Sequence, residues 1–114
     1  MKRIVLLVLA SLLSLTMVAQ EKLSKNRKVV IKVAGNCGMC EKRIEKAAYS
    51  VKGVKNAEWY AEDQDIHLVI DETKCSIDDV AKAIAGVGHD TEIIKAQDVV
   101  YDKLHGCCLY ERMK

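Results

Sequence analysis

The chain has 114 residues, half of them hydrophobic and 30% charged, with five cysteines, no proline and a formal net charge of +2. That length gives one small domain and no more. The near-neutral charge excludes a general nucleic-acid binder, which would carry a strongly basic face.

The first stretch reads as a targeting segment. Met1-Lys2-Arg3 is a short basic start, Ile4 to Ala19 is apolar with small residues toward its end, and Gln20-Glu21-Lys22 is polar. This order predicts a secretory signal peptide over residues 1–19, cut after Ala19. The apolar run is shorter than the roughly 20 residues a spanning helix needs, so no stable membrane insertion is expected after cleavage. Loss of Lys2 and Arg3 leaves 16 basic residues against 16 acidic. Export implies a periplasmic or extracellular location and an oxidising surrounding. Five cysteines are an odd number there, so disulfides cannot consume them all.

Residues 20–27 read as a flexible polar lead. Lys28 to Ala34 is β-branched and predicts a strand with Val29, Ile31 and Val33 on one face. From Met39 to Val51, Cys40, Ile44, Ala47, Ala48 and Val51 recur at helical spacing, and Gly53 stops the helix. Val54–Tyr60 and Ile66–Ile70 predict two strands joined by the acidic turn Glu62–Asp65. Ser76 with Asp79 three residues on opens a second helix, whose stripe is Ile77, Val80, Ala81 and Ile84. Gly86 and Gly88 end it, and Thr91–Lys95 reads as a fourth strand. The order β-α-β-β-α-β is that of an α+β, ferredoxin-like sandwich over residues 28–95. Residues 96–114 form a C-terminal tail with helical character and the pair Cys107-Cys108.

Chemistry concentrates at Asn36-Cys37-Gly38-Met39-Cys40-Glu41-Lys42-Arg43. A three-residue offset at the mouth of a helix lets both sulfurs converge. Free N–H groups and the positive end of the helix dipole favour the thiolate, the form that binds metal. Thiolates are soft ligands suited to Cu(I), Zn and similar ions. Lys42 and Arg43 would offset the charge of a bis-thiolate complex, and Asn36, Gly38 and Met39 shape the loop.

This pattern resembles the heavy-metal-associated domain family: copper chaperones, periplasmic mercury-binding proteins and metal-binding modules of metal-pumping ATPases. The resemblance covers about Lys28 to Lys95. It rests on Cys-x-x-Cys after the first strand, Val51-x-Gly53-Val54 after the first helix, and Ile84-Ala85-x-x-Gly88-His89-Asp90 after the second. The chain departs from the family at Ala34-Gly35-Asn36, where Gly-Met-Thr is usual; Met39 would take over part of the missing methionine's role. The resemblance implies that His89 sits beside the metal loop, as a third ligand, a lid or a backbone cap.

A helical tail of ten residues, Ala96 to His105, spans about 15 Å, the length of a five-residue strand. Running back along the open sheet face of Val30, Tyr60, Val69 and Ile94, it would return Cys107 and Cys108 to the metal end as added ligands. The competing expectation is a disulfide, with Cys75 as one candidate partner. Cys75 alone reads as structural, His67 as an open-face residue, His105 as solvent-exposed, and Trp59 and Tyr60 as packing residues.

The resulting expectation is a non-catalytic, exported carrier or sequestrant of a soft ion. Cu(I) comes first because two thiolates satisfy it, with Zn(II), Hg(II) and Cd(II) open, and a metal-transporting membrane protein or efflux component is the expected partner. The rivals are a thiol–disulfide oxidoreductase, disfavoured by the absence of proline, and a metal-sensing accessory subunit of an efflux system.

Overall fold

A computed structural model describes residues 22–114; the expected signal peptide and the start of the lead lie outside them. Three antiparallel strands form the sheet: β1 (Arg27–Lys32), β2 (Val54–Tyr60) and β3 (Asp65–Ile70), in the order β1-β3-β2. β1 starts one residue before the expected Lys28–Ala34 strand and stops two residues short of its end, with Ile31 opposite Ile66 and Lys32 opposite Asp65. β2 pairs the other edge of β3, with Trp59 opposite Ile66 and a bulge near Asn56. Because β3 is central, its alternating Ile66, Leu68 and Ile70 are buried while His67 stays exposed.

Two helices close one sheet face, α1 (Gly38–Tyr49) and α2 (Ile77–Gly86). Their buried stripes, Cys40, Ile44, Ala47 and Ala48 on α1 and Val80, Ala81, Ile84 and Ala85 on α2, join Ile31, Val33, Ala57, Trp59 and the β3 side chains in one core. The Ser76–Asp79 capping box is present: Ser76 Oγ accepts from the Asp79 N–H at 3.2 Å and Asp79 Oδ2 from the Ser76 N–H at 2.9 Å. Gly53 leaves α1 at φ +111°, where an added Cβ would lie 2.9 Å from Cys75 Sγ, so glycine is required.

The α+β, ferredoxin-like arrangement is as expected, but Thr91–Lys95 does not form a strand. Pairing stops at a single bridge, Val33 to Thr91. The Thr91 hydroxyl accepts from the Ile93 and Ile94 N–H groups, and the Thr91 N–H donates to Ile94 O at 2.9 Å, turning the chain back. Glu92 Oε1 accepts from the Lys32 N–H, which removes a donor that strand pairing would use. Short side chains that bond nearby backbone compete with sheet formation in this way.

That turn redirects the tail. The expected run along the open sheet face does not occur: Val30 and Tyr60 stay exposed, and so does Val99 of the four-residue helix α3 (Asp98–Tyr101). Instead Leu104 packs against Gly88, where an added Cβ would meet its Cδ2 at 3.1 Å. The chain then passes through a 3-10 turn, Gly106–Cys108. Tyr110 follows, its hydroxyl donating to Gly88 O at 2.7 Å and accepting from the Asp90 N–H at 2.8 Å. No helix among the described residues is long and apolar enough to cross a membrane.

Candidate metal centre

The loop between β1 and α1 is held where it leaves β1. The Val33 N–H donates to Gln64 O at 2.9 Å and the Gly35 N–H to Gln64 Oε1 at 3.0 Å. Trp59 Nε1 donates to Val33 O at 3.0 Å from inside the core. Gly35 is wedged between Trp59, Cys40 and Ile44, where an added Cβ would fit only if these neighbours shifted. Gln64 carried no motif in the sequence, since a loop side chain that reaches the neighbouring loop leaves no local signature.

Cys37 is the extended N-cap of α1 and Cys40 lies in its first turn, with their sulfurs 3.9 Å apart. Cys40 is fully buried and Cys37 half-buried. The Cys40 backbone N–H at the open helix end is the main influence holding the Cys37 thiol down to about 7, against a smaller upward push from burial and with help from the Met39 N–H. Burial pushes Cys40 up to about 11. The pair thus combines one thiol ionised near neutrality with one that keeps its proton until a cation displaces it.

Both tail cysteines reach this end. Cys108 is fully buried with its sulfur 3.8 Å from that of Cys37, and the Cys37, Cys40 and Cys108 sulfurs all lie within 4.8 Å of one another. Cys107 is exposed, 3.9 Å from the sulfurs of Cys37 and Cys108 and 3.7 Å from Met39 Sδ, but outside that three-sulfur group. Contact with the other thiols raises its pKa. Met39 therefore meets Cys107 and is itself exposed. Asn36 Nδ2 donates to Cys107 O at 3.4 Å, Gly38 opens α1 with free space around it, and Lys42 is on the exposed side of α1.

His89 is buried beside the loop, but its Nδ1 faces Ala34 O at 2.9 Å and its ring stacks on Tyr110, so it braces the backbone and lies outside the sulfur group. Desolvation, reinforced by the nearby Arg43 charge, lowers its pKa and keeps the ring neutral. Cys75 follows β3, which runs antiparallel to β1, so it sits at the far end of the sheet; all five cysteines are free thiols. Its sulfur is 3.8 Å from Asp71 O. The Cys75 disulfide considered from the sequence is thus not formed.

No protein-family model and no curated protein matches the chain. Solved structures do. The CopZ metallochaperone aligns with a TM-score of 0.55 and 26% identity over 57% of this chain and 98% of its own. Oxidized MerP from Ralstonia metallidurans CH34 aligns with a TM-score of 0.56 and 26% identity, covering 59% and 94%. The N-terminal domain of a potential copper-translocating P-type ATPase from Bacillus subtilis, in its Cu(I)-loaded state, aligns with a TM-score of 0.56 and 25% identity, covering 64% and 92%. The chain has the fold of a heavy-metal-associated domain. It resembles mercury-binding and copper chaperone proteins, and because each relative is matched nearly end to end, a large part of this chain has no counterpart in them.

Proposed function

We propose that this protein binds a soft heavy-metal ion through Cys37 and Cys40, outside the cytoplasm, and carries or sequesters it without catalysing a reaction. The observation that carries the reading is the pair of sulfurs 3.9 Å apart at the mouth of α1, one of them ionised near neutrality. Two such thiolates satisfy a low-coordinate soft cation, which favours Cu(I). Hg(II) and Cd(II) suit the same donors, while Zn(II) prefers four ligands. In this reading residues 1–19 are removed on export to the periplasm or extracellular space, and residues 28–95 are the metal-binding domain. The half-exposed Cys37 is the sulfur through which the ion passes to or from a metal-transporting membrane protein or efflux component. Elemental analysis of protein purified without oxygen tests the assignment. Copper near one atom per chain supports it, and metal-free protein that takes up no copper, mercury or cadmium on reconstitution defeats it.

The unequal Cys37 and Cys40 thiols also favour a second reading, thiol–disulfide exchange. Insulin reduction measured beside metal titration separates the two.

A further inference from the structure

The loop after β1 and the first turn of α1 supply two sulfurs, and the C-terminal tail brings a third, buried one to them. Cys108 comes from a tail that wraps around the Gly88–Asp90 corner, and its position is fixed on both sides. Upstream, Leu104 fills the space over Gly88. Downstream, Tyr110 is bonded to Gly88 O and the Asp90 N–H, and Arg112 Nε and Nη2 reach the Asp90 carboxylate at 2.7 and 2.9 Å. The Met113 N–H adds a bond to Asp90 Oδ2 at 3.1 Å. A cysteine held between two anchors, fully buried, and 3.8 Å from the Cys37 sulfur is placed in advance of any ion.

We propose that Cys108 is a third thiolate ligand, so that the C-terminal tail closes a three-sulfur site over the ion held by Cys37 and Cys40. This rests on the binding function proposed above and deepens it. Binding releases the thiol protons to solvent as three S–metal bonds form, with no change of oxidation state. Three thiolates suit Cu(I), Hg(II) and Cd(II), and a buried third ligand slows release compared with an open pair, which is a property of a sequestering protein more than of a rapid shuttle. Cys107, exposed and outside the group, is not a ligand.

The test is X-ray absorption spectroscopy of Cu(I)-loaded, oxygen-free protein, with affinity measured by chelator competition. Wild type and Cys107→Ser should each show three sulfur neighbours. Cys108→Ser and Cys108→Ala should show two, with affinity lower by about tenfold or more, equivalent to about 1.4 kcal/mol. Two sulfurs in wild type overturn the proposal, as does unchanged affinity in both Cys108 variants or a loss confined to Cys107→Ser. The wild-type count stands even if a Cys108 variant folds poorly. A Cys37→Ser, Cys40→Ser double variant separates the two ideas: if it abolishes binding while Cys108 variants are silent, only the third ligand is lost.

Discussion

Arg112 clasps Asp90 in a two-pronged ion pair, Nε to Oδ2 at 2.7 Å and Nη2 to Oδ1 at 2.9 Å, at a carboxylate with no solvent exposure. Arg112 also donates to Ala96 O at 2.7 Å and stacks over the Tyr101 ring. This pair joins the corner after α2 to the last residues of the tail, and so holds the tail cysteines at the metal end.

Removing one partner of a buried pair strands the other. Arg112→Ala should destabilise the protein by about 2–4 kcal/mol, the lower part of the range reflecting the partial exposure of the guanidinium. Urea unfolding measures it. Asp90→Asn should cost a similar amount, and the two losses should not add, because they break the same contact.

Acid should loosen this corner. The His89 pKa lies below the ordinary imidazole value of 6.5, so below that value the unfolded chain gains a proton that the folded ring refuses, and stability falls with pH. Burial pushes the Asp90 carboxyl up, but the Arg112 pair and the Ala96 and Met113 N–H groups outweigh it and hold it below the usual carboxylate value. Its contribution is present above 3.8 and is lost as pH falls further. Stability measured from pH 8 to pH 3 should decline in these two stages, and His89→Gln should flatten the first.

In metal-free, reduced protein, iodoacetamide should label Cys37 before Cys40. The Cys37 rate should rise through a midpoint near pH 7, while Cys40, buried and held up to about 11, stays unlabelled to pH 9. Mass mapping of the labelled peptides against pH checks this.

Two glycines should separate folding from binding. Gly53→Ala forces a side chain into φ +111° and to 2.9 Å from Cys75 Sγ, costing about 1–3 kcal/mol while the metal affinity of the surviving fold is unchanged. Gly35→Ala places a Cβ 3.0 Å from Trp59 and 3.2 Å from Cys40, so it should cost about 1–2 kcal/mol and also weaken metal binding. Paired unfolding and chelator-competition measurements distinguish the two outcomes.

Elements whose determinants are local were legible in the sequence. β2 falls on Val54–Tyr60 as expected, and α2 starts at the Ser76–Asp79 box because cap and partner are three residues apart. The fourth strand misled because Thr91–Lys95 has strand-like composition, while the Thr91 hydroxyl and the Glu92 carboxylate satisfy the backbone groups that pairing would need. The return of Cys107 and Cys108 to the metal end is one of the two outcomes the sequence left open, and it comes by a different route from the one along the open sheet face. The actual route depends on Asp90 meeting Arg112 and on Tyr110 capping Gly88, contacts across about twenty residues that no periodicity announces. Which tail cysteine is buried followed from those anchors and was not readable from two adjacent cysteines.

The most direct measurement is an oxygen-free Cu(I) titration against a chromophoric chelator, comparing wild type with the Cys37→Ser, Cys40→Ser double variant and following fold by circular dichroism. Wild type should withdraw one Cu(I) per chain from the chelator, and the folded double variant none. Equal withdrawal by both would contradict metal binding at the mouth of α1.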